Sequence, residues 1–387
     1  MELTSSVEAR AGDPVALARL LVSIPSVNPV LAPGGAGERC IAEIVADLLK
    51  GWGLTTALEE VALGRWNVVG RLEGEGPTLL LNGHLDTVGV QGMTVEPFAA
   101  VMDEGRLFGR GACDMKGGVA AILAATARLA EVGPRPKLIV ALTADEEHAS
   151  LGMAALVAGG VEADLAVVCE PTSLRIMPAH KGFVWLRAVF RGRAAHGSRP
   201  DRGIDAIRHA GLFLAALEPY TATLLERRAH PLLGHGSFHA GTIHGGTAES
   251  VYPDECTLLI ERRTMPWESP MQVVSEFNSV LETLRGQEPS LNATLEMTLE
   301  RPGTEVPVES PLVMGLLDAC RALHVPPAVE GMTAWVDAAF LNEIGIPAVC
   351  FGPGSIEQAH TEDEWIVVDE IRKCADVLER FARGLVQ

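Results

Sequence analysis

Residues 78–88 read TLLLNGHLDTV, in which a short apolar run ends in polar side chains. The run Thr78–Asn82 is typical of a buried β-strand, and His84 and Asp86 follow it closely. A long apolar helix is predicted over Gly117–Glu131 (GGVAAILAATARLAE). Because strand and helix patterns alternate along this part of the chain, we predict an α/β fold with a mostly parallel sheet covered by helices on both faces.

Two further predicted strands also end in acidic side chains. Residues 137–144 (KLIVALTA) are followed by Glu146 and Glu147, and residues 164–169 (DLAVVC) are followed by Glu170. In an open α/β sheet, the ligand crevice lies outside the carboxyl ends of the strands. We therefore expect these carboxylates to converge with the histidine and the aspartate that follow the first strand.

A different pattern begins near Lys181 and predicts a second domain. Alternating strands are expected at 182–191, 237–243, 255–263 and 292–299, with helices at 205–217 and 271–284. This order of strands and helices is that of a ferredoxin-like α+β domain. A helix near 311–323 and a strand over 347–351 then return to the first pattern. We therefore predict that residues 180–300 are inserted into a catalytic domain made of residues 1–179 and 301–387.

Composition excludes several classes of protein. A length of 387 residues favours two domains. The net charge of −19 argues against nucleic acid as a partner, since nucleic-acid binding needs a basic surface. The sequence has no run of about 18 apolar residues, so we expect no membrane span. Its first residues, MELTSSVEARAGDP, do not resemble a secretory signal, so we expect none. Seven scattered cysteines without a CxxC pair favour a reducing cytoplasm.

Two further residues extend the set of potential metal ligands. Asp114 lies in GRGACDMKGG (109–118), just before the long helix, and His360 lies in AHTEDEW (359–365). Two histidines with several carboxylates suit zinc, manganese or cobalt and exceed what a single zinc ion needs. They suit two metal ions that share a carboxylate, polarise a carbonyl and lower the pKa of a water molecule.

The acidic pair Glu146–Glu147 can divide two tasks, with one carboxylate binding metal and the other accepting a proton from water. Asp86 lies two residues from His84, where it can orient the histidine ring. The residue pattern therefore predicts a metal-dependent hydrolytic site.

The motifs occur in an order that resembles a known superfamily over nearly the whole chain. It is the zinc-dependent superfamily of acetylornithine deacetylases, succinyl-diaminopimelate desuccinylases, aminoacylases and carboxypeptidases. The motifs are GHLDTV (83–88), GRGACDMKGG (109–118), DEE (145–147), CEPT (169–172), AHGSRP (195–200), GGTAESVYPDE (245–255) and AHTEDEW (359–365). The resemblance implies a zinc-peptidase-like catalytic domain with an inserted lid and dimerisation domain.

The resemblance also implies a set of metal ligands. His84 and Glu170 would bind one metal ion, Glu147 and His360 would bind the second, and Asp114 would bridge them. Two Zn²⁺ ions are the implied cofactors, with Co²⁺ or Mn²⁺ as alternatives. The peptide bond after Asp114 is implied to be cis.

Catalytic roles follow from the same resemblance. Glu146 would be the general base, and Asp86 would support His84. His196, in AHGSRP, would come from the partner subunit of a homodimer and stabilise the oxyanion.

Substrate binding is implied for Arg263, which would grip the carboxylate of the substrate, although the adjacent Arg262 leaves this assignment open. The turn Gly352-Pro353-Gly354 would offer the N–H groups of Gly352 and Gly354 to the same carboxylate, or is an ordinary tight turn.

The reaction implied is metal-dependent hydrolysis of the amide of an N-acyl amino acid, releasing a carboxylate and a free amine. An acetylornithine deacetylase-like enzyme of cytoplasmic arginine biosynthesis is the first expectation. A succinyl-diaminopimelate desuccinylase and a broad N-acylamino acid hydrolase are alternatives. A dipeptidase or carboxypeptidase would use the same site, and an inactive binding homologue is a remote alternative.

Overall fold

The structure is a computed structural model that describes residues 4–131 and 133–386. The chain divides into two compact units. The larger comprises Met1–Pro178, Val306–Glu330 and Val336–Gln387, and the smaller comprises Ala179–Glu305 and Gly331–Trp335. The predicted insertion, residues 180–300, lies within the smaller unit, and its assignment as a separate lid and dimerisation domain stays a prediction.

The elements are named in chain order. The helices are α1 (Thr4–Arg10), α2 (Pro14–Val22), α3 (Arg39–Gly51), α4 (Gly117–Glu131), α5 (Leu151–Ala158), α6 (Ala206–Glu226), α7 (Pro270–Gln287), α8 (Pro311–Ala322), α9 (Ala338–Glu343) and α10 (Val368–Gly384). The strands are β1 (Thr55–Ala62), β2 (Arg65–Leu72), β3 (Thr78–His84), β4 (Val101–Asp103), β5 (Arg106–Phe108), β6 (Lys137–Thr143), β7 (Leu165–Val168), β8 (Ile176–His180), β9 (Gly182–Arg191), β10 (Ser237–Gly245), β11 (Glu255–Thr264), β12 (Asn292–Arg301), β13 (Thr304–Glu305), β14 (Val329–Met332), β15 (Ala348–Cys350) and β16 (Trp365–Val367).

The larger unit is built on a mixed sheet in the order β1-β2-β6-β3-β7-β15-β8. Strands β6, β3, β7 and β15 run parallel to their neighbours within this group. The outer pairs β1–β2, β2–β6 and β15–β8 are antiparallel. The α/β class is confirmed, and the parallel part of the sheet is its centre.

Helix α4 forms the centre of the larger unit's core. Apart from its last residues the helix is buried, and it packs against α2, α10 and β3. A side chain at Gly118 would meet the backbone oxygen of Cys169 at 2.1 Å. The start of α4 therefore lies directly against the chain that leaves β7, which is where the predicted ligands are.

The smaller unit contains an antiparallel sheet in the order β10-β11-β9-β12, against which α6 and α7 pack. Its chain order, β9-α6-β10-β11-α7-β12, is the predicted ferredoxin-like order. Helix α6 continues past the predicted end at Leu217, although Pro219 lies within it, because Tyr220 and Leu224 prolong its buried face. Among the described residues of the whole chain, no helix is long and apolar enough to cross a membrane.

Candidate metal centre and active site

The parallel strands deliver their polar residues to one edge of the sheet. His84 is the last residue of β3 and pairs with Thr143, the last residue of β6. Asn82 of β3 pairs with Val168 at the end of β7. Because the strands end at nearly the same level, His84 and the residues that follow β6 and β7 meet at this edge.

Asp114 lies between two histidines. Its Oδ1 is 3.1 Å from His84 Nε2, and its Oδ2 is 3.3 Å from His360 Nε2. His360 Nε2 is also 2.9 Å from Glu147 Oε2. Glu146 Oε2 is 3.9 Å from His84 Nε2. A carboxylate that turns one oxygen to each histidine has the arrangement needed to bridge two metal ions.

The donor atoms fit divalent cations. Two overlapping groups have ligand atoms within 4.8 Å of one another: His84, Asp114 and Glu147, and His84, Glu146 and Glu170. Among the described residues, the buried oxygens Oε1 of Glu147 and Oε1 of Glu170 have no hydrogen-bond partner. Buried polar atoms are normally satisfied, so these two carboxylate oxygens fit a cation as their partner. Imidazole nitrogen and carboxylate oxygen are suitable zinc ligands.

The metal centre brings several buried carboxylates close together, and this shifts their pKa values. Burial and the nearby Asp114 raise the pKa of Glu147 to about 7. Burial also raises the pKa of Glu170 to about 8 and raises the pKa of Glu146 well above its usual value. Hydrogen bonds to Asp114 and Glu147 raise the pKa of His360 to about 10. Such a cluster favours added positive charge, either protons or metal ions.

Asp86 contacts His84 through its main chain and the two glutamates through its side chain. The Nδ1–H of His84 faces the backbone oxygen of Asp86 at 3.0 Å, whereas the carboxylate Oδ1 lies 3.7 Å away. The Asp86 carboxylate instead accepts the backbone N–H of Glu146 at 3.1 Å and that of Glu147 at 3.3 Å. Asp86 therefore orients the ring through its main chain and fixes the two glutamates through its side chain.

Glu364 holds the turn that carries Asp114, a role that was not predicted from the sequence. Its side chain is buried, and it accepts the backbone N–H groups of Gly111, Cys113 and Asp114 at 2.9–3.0 Å. Arg110 Nη1 donates to the same carboxylate at 2.8 Å. The Asp114–Met115 peptide bond in this turn is cis, as the resemblance implied. Glu364 lies four residues after His360, so it connects the segments that carry Asp114 and His360.

The N–H groups of the turn Gly352-Pro353-Gly354 form hydrogen bonds within the protein. Gly352 N–H donates to Thr172 Oγ1 at 3.0 Å, and Gly354 N–H donates to Glu370 Oε2 at 2.7 Å. Both groups are therefore already used inside the protein and are not free for a substrate carboxylate. A side chain at Gly352 would meet the backbone oxygen of Glu170 at 2.4 Å, so this position holds the chain close to the metal centre.

Arginines 262 and 263 lie in the smaller unit and differ in environment. Arg262 is buried and donates to Glu268 and Tyr220. Arg263 Nε donates to Glu261 at 2.7 Å, whereas its buried Nη1 has no partner among the described residues. Of the two, Arg263 is the one with a donor available for a ligand.

His196 also lies in the smaller unit, where it is exposed. Its Nδ1 accepts the backbone N–H of Ser198 at 3.2 Å. In the neutral ring this leaves the proton on Nε2, which is the state needed to donate a hydrogen bond.

Comparison with known proteins gives concordant results. Residues 80–384 match the profile of peptidase family M20/M25/M40. The chain is similar to an acetylornithine deacetylase of Myxococcus xanthus, with 32% identity over 333 residues, 84% of this chain and 85% of that one. An acetylornithine deacetylase of Photorhabdus laumondii is 31% identical over 360 residues, 91% of this chain and 92% of that one. The fold resembles that of an aminopeptidase of Bacillus cereus, with a TM-score of 0.81, 21% identity, and coverage of 97% and 99% of the two chains.

Proposed function

The chain belongs to peptidase family M20/M25/M40, and we propose that it is a metal-dependent hydrolase that removes the acyl group from the nitrogen of an acetylornithine-like amino acid. The observation that carries the proposal is the placement of Asp114 between His84 and His360, with Glu146 beside them. The similarity to acetylornithine deacetylases over most of the chain supports the substrate class.

The ligands divide into two sets. His84 and Glu170 would hold one cation, Glu147 and His360 would hold the other, and Asp114 would bind both. Zn²⁺ is the cation that these donors suit best, with Co²⁺ and Mn²⁺ as substitutes. When bound, the cations supply Lewis acidity toward the amide carbonyl and lower the pKa of water.

Glu146 is the general base in this proposal. Its carboxylate accepts a proton from the attacking water as the oxygen of that water bonds to the amide carbon. The same group then delivers the proton to the leaving nitrogen as the carbon–nitrogen bond breaks. The products are a carboxylate, which keeps the oxygen of the water, and a free amine, which keeps the transferred proton. All atoms of the water and the amide are therefore accounted for. Asp86 keeps the backbone of Glu146 in place during both transfers.

We place His196 at the oxyanion, donating from Nε2. In this proposal it belongs to the partner subunit of a homodimer. The edge of the small sheet supports such an assembly, because β10 is nine residues long and is exposed along almost its whole length. An exposed edge strand of this length is a template for pairing with another chain. Size-exclusion chromatography with light scattering would contradict the dimer if only monomer were found.

Arg263 is assigned to the free carboxylate of the substrate. Its unpartnered Nη1 supports this role, since a buried guanidinium donor normally has an acceptor. A substrate whose carboxylate is amidated should therefore bind poorly.

The proposal is tested by an activity screen of the zinc-loaded protein with free amine as the readout. The substrates are N-acetyl-ornithine, N-succinyl-diaminopimelate, N-acetyl-methionine and several dipeptides. Chelated protein and the Glu146→Gln variant, purified identically, control for contaminating hydrolases.

Preference for N-acetyl-ornithine would support the proposal in full. Preference for another acyl amino acid would keep the reaction and change the substrate. Cleavage of dipeptides alone would replace the proposal with a peptidase, and inactivity on every substrate with metal bound would contradict it.

A further inference from the structure

We propose that Arg65 is a positioning residue for the general base and acts through Asp145, the residue before Glu146. The inference rests on the proposed role of Glu146. It concerns a group of buried side chains behind the metal centre, which we call the support network: Asn28, Glu38, Arg65, Asp86 and Asp145. None of these residues except Asp86 was assigned a role from sequence.

Arg65 lies at the centre of the support network. Its Nε is 3.0 Å from both carboxylate oxygens of Glu38, and its Nη2 also contacts Glu38. Its Nη1 donates to Asp145 Oδ1 at 2.5 Å, and its Nη2 is 3.8 Å from Asp86 Oδ2. The guanidinium thus faces three carboxylates from one position on β2.

Asn28 closes the network on the other side. Its Nδ2 donates to Asp86 Oδ2 at 2.8 Å and to Asp145 Oδ1 at 2.9 Å. Its Oδ1 accepts from Arg65 Nη1 at 3.3 Å. Asn28 therefore connects the Asp86 carboxylate, which accepts the glutamate N–H groups, to the Asp145 carboxylate, which pairs with Arg65.

The turn that carries Glu146 depends on these contacts. Asp145 has a left-handed backbone, with φ of +68°, which is an uncommon conformation for a residue with a side chain. Its backbone oxygen accepts the N–H groups of Ala149 and Ser150, and its side chain accepts from Arg65 and Asn28. The surrounding contacts therefore fix the backbone immediately before the base, which is how an uncommon conformation persists at a functional site.

Charge explains why arginine is needed. The side chain of Arg65 is 4% exposed, and those of Glu38, Asp86 and Asp145 are not exposed at all. Without Arg65 these carboxylates would repel one another and admit water or protons. Lysine keeps the charge but loses the fork of donors that reaches Glu38 and Asp145 together. A displacement of Glu146 by about 1 Å is enough to cost about 100-fold in rate.

The experiment compares Arg65→Met and Arg65→Lys with Arg128→Met, a matched control. Arg128 is a partly exposed residue of the same unit that pairs with Asp376 and Glu379, neither of which belongs to the support network. We expect Arg65→Met to lower kcat about 10- to 100-fold with metal content unchanged, and Arg65→Lys to lower it less. KM should stay within about twofold, because substrate contacts are not altered.

Amide hydrogen exchange over residues 144–150 provides a readout that does not depend on substrate. Exchange should accelerate in both Arg65 variants and not in the control, because the turn that presents the N–H groups of Glu146 and Glu147 to Asp86 loses the contact that fixes Asp145. If the wild-type protein cleaves no substrate, the proposed function fails while exchange still tests the positioning. If Arg65→Met does not fold, kcat and amide exchange in Arg65→Lys and Asn28→Ala test the inference instead.

A double-mutant cycle tests the route through Asp145. If Arg65 acts through this residue, Arg65→Met combined with Asp145→Asn should lose no more activity than the worse single variant. Multiplicative losses would overturn the proposed route. Normal kcat and normal exchange in both Arg65 variants would overturn the inference as a whole.

Discussion

The two histidines of the metal centre have opposite surroundings. His84 ends a central strand of the sheet, and its side chain is 1% exposed. His360 lies in a loop, its side chain is 50% exposed, and its backbone has a left-handed φ of +64°. We call His84 and its surroundings the inner end of the metal centre, and His360 and its surroundings the outer end. The inner end is fixed by the sheet and the support network, whereas the outer end depends on the contacts made by Glu364.

The comparison implies that chemistry and metal retention are controlled at different places. Glu146, Asp86 and Arg65 belong to the inner end, where burial keeps the base in one position. The outer end is the more accessible side, so we expect exchange of metal to occur there. Buried, fully connected groups are rigid, and loops with exposed side chains open more easily.

The largest effect is expected from Glu146→Gln. Loss of the base should lower kcat by about 10²- to 10⁴-fold, because the amide cannot accept the proton of water. Metal content by mass spectrometry should not change. Glu343→Gln, an exposed residue at the end of α9, removes the same charge elsewhere and should behave as wild type. Activity within a few-fold of the control would show that another group is the base.

A pair of histidine variants tests the comparison directly. His84→Ala should lower the metal content from two ions to one, because His84 would hold only the cation that Glu170 also binds. It should also lower the free energy of unfolding of the metal-free protein by about 1–3 kcal/mol, since buried partners lose a hydrogen bond. His360→Ala should lower the metal content from two ions to one and should destabilise the metal-free protein less than His84→Ala, because the ring that bonds to Asp114 and Glu147 is half exposed to water. Equal destabilisation of both metal-free variants in urea would contradict the distinction between the two ends.

The inner end was the more predictable one from sequence. His84, Glu147 and Glu170 follow buried parallel strands, and such strands end at one edge of a sheet, so their convergence followed from pattern alone. The bounds of α4 and β9 also match the predicted residues. These elements have long, uniform apolar or alternating patterns, which leave little choice of structure.

The supporting residues could not be found in this way. Arg65 lies on β2, a strand that was not predicted, in a hairpin with β1, whose sequence TTALEEVA has no clear alternation. Its partners Glu38 and Asp145 are 27 and 80 positions away in the chain. Charged residues are usually exposed, so nothing local marks Arg65 or Glu364 as buried. Their roles depend on long-range contacts that a single sequence does not display.

Removal of metal from the wild-type protein is expected to have the next largest effect, which is a lower free energy of unfolding. A ligand present at about 100 times its dissociation constant stabilises the folded state by about 2.7 kcal/mol. We therefore expect chelation of the wild-type protein to lower its free energy of unfolding by about this amount for each site, as measured in urea with and without chelator. His360→Ala should show about half of the wild-type change, because one site remains. An unchanged midpoint on chelation would mean that the described ligands do not bind metal in the folded protein.

The smallest effect on chemistry is expected from Glu364→Gln, which tests the outer end alone. The carboxylate oxygens face only donors: the N–H groups of Cys113 and Asp114 at Oε1, and Gly111 N–H with Arg110 at Oε2. Glutamine has the same shape, but its amide nitrogen would have to face one of these donor pairs, and two donors cannot bond to each other. The turn that holds Asp114 should therefore loosen relative to His360.

We expect Glu364→Gln to weaken metal binding by about 10- to 100-fold in calorimetric titration. At saturating metal its kcat should approach the wild-type value, because Glu146 and the support network are untouched. Glu362→Gln removes an exposed charge two residues away and serves as the control. A loss of kcat that persists at saturating metal would show that Glu364 also positions the reacting groups, and the separation of metal retention from chemistry between the two ends would then be wrong.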